Sequence, residues 1–301
     1  PLYSSAASDV YKRQEYLRDF TRRVATEGLL LASATTEVNI GGNTRSSTCA
    51  VRPAGDGRVH LHKTCPVISY GAYADAILVT ARASEEAASS DQVLLVVEAA
   101  DLQLERQRGW DALGMRGTCS ESFELDATTR ADAVFTALFE TISAQTMLPG
   151  AHCLWASAWL GMATQAGLTA RSVVQKAARK TPGTTPPSAL RLAELEVQLQ
   201  AMTDVVRASV ARYEAAYDDP AACESMQFAI AMNTLKVSGA EAVRRIVGDA
   251  LVIVGITGFA NRSPVSLARL YRDSIGPSVM VNNDRILQHT ATMQLVSRGQ
   301  R

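Results

Sequence analysis

The chain has 301 residues, 47% of them hydrophobic, which is enough to bury a large core or to form two domains. Its 30 basic and 30 acidic side chains cancel, so charge gives no reason to expect a nucleic acid as partner. Its five cysteines never form a C-x-x-C pair, and no run approaches the roughly 18 apolar residues of a membrane span, so we expect a cytoplasmic protein without a disulfide framework or metal site.

The first residues differ in character from the rest. The chain begins with Pro1 rather than Met, and residues 9–14 read Asp-Val-Tyr-Lys-Arg-Gln, which resembles the translated end of a transposon used in sequencing libraries. We therefore interpret residues 1–14 as adaptor read-through and leave them out of the fold prediction. A native polar extension is the alternative. Under the first interpretation, an upstream domain is missing from the sequence.

Short β-rich runs follow, separated by Gly, Asp, Asn and Ser turns, up to about residue 135. The clearest runs are Val59–Leu61, Ala76–Thr80, Val93–Val97 and Ser122–Leu125. This pattern is typical of antiparallel strands joined by tight turns. It predicts a small β domain of sandwich or barrel type over residues 15–135.

The hydrophobic period then changes to that of helices. Apolar residues recur at spacings of three and four from Leu192 to Tyr213, which places them in one stripe along a helix. Further helices are predicted at Cys153–Val174, Met226–Val254, Pro264–Ser274 and Asn282–Val296. Residues 136–301 are therefore predicted to form an up-down four-helix bundle, and the fold class is α+β with two domains.

One motif is long enough to carry a family resemblance. Residues 109–120 read Gly-Trp-Asp-Ala-Leu-Gly-Met-Arg-Gly-Thr-Cys-Ser, which closely resembles the Trp-x-x-Leu-Gly-Met-Arg-Gly-Thr-x-Ser signature of the acyl-CoA dehydrogenase family. Other segments resemble family motifs in the same order: Thr35–Glu37, Ile68–Gly71, Asp249–Phe259 and Leu270–Asp273. The resemblance implies the family's middle β domain and C-terminal helical bundle, with the N-terminal helical domain absent from the sequence.

The resemblance also implies a cofactor. In this family the flavin ring of FAD lies between the β domain and the bundle, and short hydroxyl side chains serve its polar atoms as donors and acceptors. By position, Thr35, Thr36 and Ser69 would contact the ring, with Val67 packing beside it. Gly42 replaces a family Ser, which removes one hydroxyl. The alternative is that these are ordinary turn and strand residues.

The cofactor contacts that the resemblance implies for the helices are less complete. Arg179 would bind the FAD pyrophosphate, although Pro182 stands where the family has a stacking Phe. A solvated charge at a helix end is the alternative for this Arg. Val252 replaces a Gln that reaches the FAD of the neighbouring subunit, while Asn283 is a further expected cofactor contact.

The family's chemistry needs a carboxylate that takes the α-proton of an acyl-CoA thioester while FAD accepts a hydride from the β-carbon. Val281 occupies the usual position of this base, and Ala151 occupies the position that other members use. Neither side chain can accept a proton, so the catalytic base is unassigned. The weaker candidates are Asp284, three residues beyond Val281, and His152.

Each weaker candidate also has a simpler interpretation. Asp284 is expected at the start of a helix, where Asn or Asp caps free N–H groups and a negative charge suits the helix dipole. His152 stands on an apolar helix where the family often has Arg, and such a His is more often a hydrogen-bonded core residue. Glu140 has no positional support.

Three functions stay open. The first is FAD-dependent oxidation of an acyl-CoA in fatty acid or lipid metabolism, with a relocated base. The second is a non-catalytic subunit of a hetero-oligomeric dehydrogenase, which the joint loss of the family's Glu, Gln and Phe favours. The third is a flavin monooxygenase-like protein, which needs no α-proton base. The resemblance implies a homo- or hetero-oligomer, either a dimer or a tetramer.

Overall fold

The computed structural model describes residues 14–38 and 44–296, which form two compact units. The β unit comprises the residues up to Ala112 together with Arg116–Ile142. The helical unit comprises Leu113–Met115 and the residues from Ser143 onward. Of the predicted leader, only Gln14 is described, and Gly42 also lies outside the described residues.

The β unit has two sheets. Its strands are β1 (Leu31–Ala34), β2 (Arg52–Gly55), β3 (Arg58–Ile68), β4 (Ala76–Arg82), β5 (Gln92–Glu98), β6 (Leu102–Arg108) and β7 (Glu121–Arg130). One sheet has the order β1-β4-β5 and the other β2-β3-β7-β6. Among these strands, β1 and β4 pair in parallel and the other neighbours are antiparallel. The predicted small β-sandwich is confirmed, with one parallel pair that the strand pattern did not reveal.

Burial along the strands explains the layers. In β7 the buried residues alternate with partly exposed ones, and Phe123 and Leu125 face the core, so this strand has one buried face. β4 and β5 are buried almost continuously. Their second face is covered by helix α1, residues 14–23, whose Phe20 joins a buried cluster with Val96. The core therefore lies between the two sheets, with a smaller cluster under α1.

The helical unit is a bundle of long helices. After the short helix α2 (Phe139–Ile142), the helices are α3 (Leu148–Lys180), α4 (Ala189–Ala216), α5 (Pro220–Cys223), α6 (Met226–Val254), α7 (Ile256–Phe259), α8 (Ala268–Val279) and α9 (Asn283–Val296). Small residues such as Ala156 on α3 and Gly239 on α6 let these two helices approach closely around the buried Trp159. The predicted bundle is confirmed, and α6 has the predicted bounds. No described helix has the length and apolar content needed to cross a membrane.

Helix α8 differs from the predicted segment Pro264–Ser274. It begins at Ala268, because the residues before it form turns in which the N–H of Leu267 donates to the carbonyl of Gly258. It also continues past Ser274 through Pro277, which lies in the last turn of the helix. A proline there removes only one intrahelical hydrogen bond, so the helix ends within a few residues instead of breaking earlier.

Part of the long glycine-containing motif packs on α8. The N–H of Met115 donates to Oδ1 of Asp273 at 2.6 Å. Gly114 lies so close to the backbone of Arg272 that a Cβ at this position would overlap the Arg272 carbonyl. The Leu-Gly-Met segment and the Arg-Asp pair are therefore two sides of one contact inside the helical unit, which explains why Gly is needed at position 114.

We expect Gly114→Ala to destabilise the protein by about 2–3 kcal/mol, because the added methyl must displace the backbone of α8. Thermal unfolding followed by circular dichroism measures the effect. Gly117→Ala is the matched control, since a Cβ on Gly117 meets no atom within 4 Å. Equal melting temperatures for the two variants would contradict the close approach.

Candidate functional site

The segment that follows β1 carries the first two expected flavin contacts. Thr35 and Thr36 are half-buried, and neither hydroxyl has a hydrogen-bond partner among the described residues. Half-buried hydroxyls without protein partners can still donate to and accept from a polar ligand. These two side chains therefore fit the role of ring contacts that the sequence predicts.

Glu37, the next residue, is anchored in the core of the β unit. Its Oε1 lies 3.2 Å from Nζ of Lys63, and its Oε2 accepts from the backbone N–H of Thr48 at 2.7 Å and from the Thr48 hydroxyl at 2.6 Å. The hydroxyl of Ser47 also donates to Glu37. Lys63 in turn donates to the carbonyl of Thr80 at 2.6 Å. This fully buried ion pair fixes the backbone directly after Thr35 and Thr36.

The surroundings of Glu37 favour its charged form. Burial by itself raises the pKa of the Glu37 carboxyl, but the Lys63 ammonium and the hydrogen bonds from Ser47 and Thr48 outweigh it and lower the pKa to about 2. The carboxylate is therefore ionised at every physiological pH, so its contacts hold the segment continuously.

Ser69, the third expected contact, belongs to a short chain of hydroxyls. Its Oγ lies 2.8 Å from Oγ of Ser120, which lies 2.7 Å from Oγ1 of Thr118. The N–H of Tyr70 donates to the carbonyl of Thr118 at 3.0 Å, which joins the two loops. Ser120 is buried and therefore orients the more exposed Ser69 hydroxyl. Sequence analysis identified Thr118 and Ser120 only as part of a family motif, although two hydroxyls separated by one residue could have suggested such a chain.

The turn between Ser69 and β4 has little freedom. Tyr70 adopts a left-handed conformation with φ of 59°, and a Cβ on Gly71 would lie 2.9 Å from the side chain of Ile68. Val67, which the resemblance places beside the flavin, is 38% exposed, so an apolar surface stands next to the hydroxyls. The β unit therefore presents hydroxyls and one apolar side chain from two loops that are joined by a hydrogen bond. The hydroxyls fit the polar edge of a flavin ring and the apolar side chain fits its face.

The expected cofactor contacts on the helices are less well prepared. Arg179 lies exposed in the last turn of α3, and Pro182 is exposed in the loop that follows. Val252 near the end of α6 is exposed, and Ile256 in α7 is 79% exposed. An exposed guanidinium fits a phosphate, but no described side chain there replaces the family's stacking Phe. The FAD contact of Arg179 stays a prediction.

His152 lies in the core of the bundle. Its Nδ1 is 3.0 Å from the carbonyl of Met232, which makes it the protonated nitrogen, while Nε2 is buried without a protein partner. Burial is the main reason that the pKa of His152 falls to about 4, and the nearby Lys236 charge adds to it. His152 is therefore neutral at physiological pH, and it is the hydrogen-bonded core histidine of the simpler interpretation.

The two positions that the resemblance assigns to the family's base carry no carboxylate. Ala151 is half-buried on α3, and Val281 is 43% exposed in the turn between α8 and α9. Asp284 is exposed in the first turn of α9, where Oδ1 of Asn282 caps the N–H groups of Asp284 and Arg285. The start of α9 is therefore capped by an Asn side chain, as the simpler interpretation expects, and the capping residue is Asn282.

A polar cluster that the sequence did not predict lies under this turn. The Nζ of Lys236, on α6, donates to the carbonyls of Pro277 and Met280 at 2.9 Å and of Val281 at 2.6 Å, and to Oδ1 of Asn283 at 2.7 Å. Burial lowers the pKa of Lys236 to about 8, although oxygen acceptors on all sides favour the ammonium. A lysine within an apolar helix is a weak signal, because periodicity alone treats it as solvated.

Asn283 is also held by α6 from its other side. Its Nδ2 donates to Oε1 of Glu241 at 3.2 Å, and the hydroxyl of Ser278 lies 3.3 Å from the same oxygen. Both ends of the buried Asn283 amide are thus engaged within the helical unit, and its contact with the cofactor stays a prediction. Among the described residues, no group of three His, Cys, Asp or Glu side chains could hold a metal ion.

Comparison with known proteins agrees with this architecture. Residues 141–280 match the family model described as the acyl-CoA dehydrogenase C-terminal domain. No curated protein matches the chain by sequence. The structure is similar to acyl-CoA dehydrogenase from Geobacillus kaustophilus, with a TM-score of 0.77, 20% identity, and coverage of 94% of this chain and 73% of that one.

Two further solved structures show the same fold. One is butyryl-CoA dehydrogenase from Megasphaera elsdenii, with a TM-score of 0.75, 19% identity, and coverage of 91% of this chain and 70% of that one. The other is FMN-bound TdsC from Paenibacillus sp. A11-2, with a TM-score of 0.73, 18% identity, and coverage of 92% and 73%. The resemblance found in the sequence motifs is confirmed.

Acid should weaken the anchor of the Thr35–Thr36 segment. Because the pKa of Glu37 is about 2 in the folded protein and near 4.5 when unfolded, its contribution of about 3 kcal/mol is present above pH 4.5 and lost as pH falls toward 2. Glu37→Gln should be less stable at pH 7, since Lys63 loses its counter-charge, and its stability should change less between pH 4.5 and 2. Urea unfolding at a series of pH values measures both.

His152 should act in a separate pH window. Its pKa is about 4 in the folded protein and 6.5 when unfolded, so the unfolded chain takes up the proton first and stability falls as pH drops from 6.5 to 4. His152→Gln, which keeps a donor for Met232, should remove about 3 kcal/mol of this fall. If wild type and variant lose equal stability across that window, the neutral buried imidazole is refuted. Glu37→Gln serves as the control, with an unchanged slope in the upper part of the window, well above the pH at which Glu37 titrates in the unfolded chain.

Proposed function

We propose that this chain is a flavin-binding subunit of an acyl-CoA dehydrogenase-type oxidoreductase, since its residues 141–280 match the model of the acyl-CoA dehydrogenase C-terminal domain. We further propose that a partner chain in a hetero-oligomer supplies the carboxylate that takes the substrate's α-proton. The observation that supports the proposal is that Val281 and Ala151, at the two positions that the resemblance assigns to the base, are not carboxylates, while the hydroxyls that it assigns to the flavin are kept.

The flavin side of this proposal rests on the β unit. When bound, FAD would accept the hydride from the β-carbon of an acyl-CoA thioester. The free hydroxyls of Thr35 and Thr36 can hydrogen-bond the polar atoms of the ring, and Ser120 orients the hydroxyl of Ser69 for the same purpose. Glu37 and Lys63 hold the threonine segment in place before the cofactor arrives.

The missing base supports a partner chain rather than a relocated base. Asp284 is exposed at the start of α9, and Glu140 is exposed in α2 of the other unit. His152 is neutral but buried, and a pKa of about 4 makes it a weak base. Exposed apolar side chains at the end of α6 and in α7 are consistent with an oligomer; they are Val252, Ile256 and Phe259.

The visible spectrum of the purified protein tests the proposal. We expect FAD added to the protein to bind, and the bound flavin to stay oxidised when butyryl-CoA or palmitoyl-CoA is added. Co-purification with an acyl-CoA dehydrogenase-type chain that has the family's Glu should give a complex in which the flavin bleaches. Bleaching by the protein alone would replace the partner proposal with a relocated base, and failure to bind flavin in both preparations would refute the flavin role.

Val281→Glu adds a sharper control to the same experiment. If position 281 faces the substrate, this variant alone should gain bleaching by an acyl-CoA. Val279→Glu, which puts the same carboxyl on an exposed residue two positions earlier, should gain none. Equal behaviour of the two variants would contradict the assignment of position 281 to the family's base.

A further inference from the structure

The turn between α8 and α9 has an unusual conformation for its sequence. Val281 has φ of 44°, in the left-handed region that β-branched residues rarely adopt. Such a conformation costs free energy and persists only where the surrounding structure over-determines it. Something other than the preference of Val281 must therefore hold this turn.

Lys236 is positioned to hold it. Its ammonium is fully buried and reaches three backbone carbonyls, those of Pro277, Met280 and Val281, within 2.9 Å. These carbonyls come from the last turn of α8 and the residues just after it, where helix carbonyls lack intrahelical partners. An ammonium has three N–H donors and no acceptor, so it suits a site made only of oxygens.

The other side of the turn is fixed through Asn283. Its Oδ1 accepts from Lys236 at 2.7 Å and its Nδ2 donates to Glu241 at 3.2 Å, so two residues of α6 hold one amide from both ends. Glu241 is held in turn by Arg244 at 2.7 Å. The residues on both sides of Val281 and Asn282 are therefore attached to the same rigid helix.

We propose that Lys236 is the positioning residue of this turn: its ammonium, by binding the carbonyls of Pro277, Met280 and Val281 and the amide of Asn283, holds residue 281 in the left-handed conformation. The position from which a side chain at 281 meets substrate is then set by α6 and is independent of which side chain is present. That a side chain at position 281 meets substrate rests on the proposed function; the rest does not.

Amide hydrogen exchange of the peptide covering residues 280–286 tests the proposal without any activity. In Lys236→Met, which keeps the length of the side chain but loses the donors, exchange of this peptide should rise about tenfold or more, with peptides of the β unit unchanged. If this peptide exchanges as slowly in Lys236→Met as in the wild type, the positioning role of Lys236 is overturned.

A rescue distinguishes positioning from simple packing. Glycine adopts the left-handed conformation without strain, so Val281→Gly should raise the melting temperature of the wild-type protein and should restore protection of the turn when added to Lys236→Met. Val279→Gly, a control that deletes the same side chain from a residue at the end of α8, should do neither. Rescue by both glycines or by neither overturns the left-handed role.

Two other variants test the proposal if Lys236→Met does not fold. Asn283→Ala removes one of the four acceptors and one link to α6, so it should raise exchange of the same peptide to a smaller degree. If Val281→Gly alone lowers the melting temperature of the wild-type protein, the inference that Val281 is strained in the left-handed conformation is refuted. Flavin binding is measured separately from amide exchange. Failure of the proposed function would therefore appear as a lack of flavin binding, and failure of the positioning role as unchanged exchange of the turn.

Discussion

The helical unit depends on the burial of one positive charge. Lys236 lies in the middle of α6 and is 0% exposed, and an unpaired ammonium in an apolar core would cost many kcal/mol. The charge can be tolerated only if oxygen atoms surround it, and α3 and α6 cannot supply them because their own carbonyls are used within the helices. The end of α8 can, since its last carbonyls have no intrahelical partners. This requirement explains why α8 ends on α6 and why α9 begins with Asn283 buried.

The β unit uses the same principle at its own functional segment. Glu37 and Lys63 form a buried ion pair. Hydroxyls and backbone groups satisfy the remaining hydrogen-bonding capacity of the two side chains. Such pairs often contribute little net stability, because desolvation offsets their attraction, but they define one geometry. In each unit a buried charge thus stands next to residues that the resemblance assigns to cofactor or substrate contacts: Thr35 and Thr36 in one, Val281 in the other.

Sequence patterns predicted what depends on local periodicity. The change from short β runs to a helical period gave the order of the units, and α6 has the predicted bounds because an apolar stripe and its cap lie within one segment. The direction of β1 against β4 was not predictable, since a strand's pattern carries no direction. Lys236 was missed for a similar reason: its acceptors lie at Pro277 to Asn283, more than one helix away in sequence, so only the tertiary structure shows that the charge is buried. Residue identity likewise gave Asp284 as a carboxylate near the base position, while its exposure is decided by the cap at Asn282.

The contacts of Lys236 with the turn also explain how position 281 can carry a valine without loss of the fold. Lys236 contacts position 281 through the backbone carbonyl, so the side chain at 281 contributes nothing to the contacts that fix the turn. Valine there costs on the order of 1–3 kcal/mol in the left-handed region, and the three N–H donors of Lys236, shared among four oxygen acceptors, act against this cost. Structural and chemical requirements are thus separated at one residue: the turn needs a carbonyl, and only the reaction needs a carboxylate. A protein that obtains its carboxylate from another chain can keep the first and lose the second.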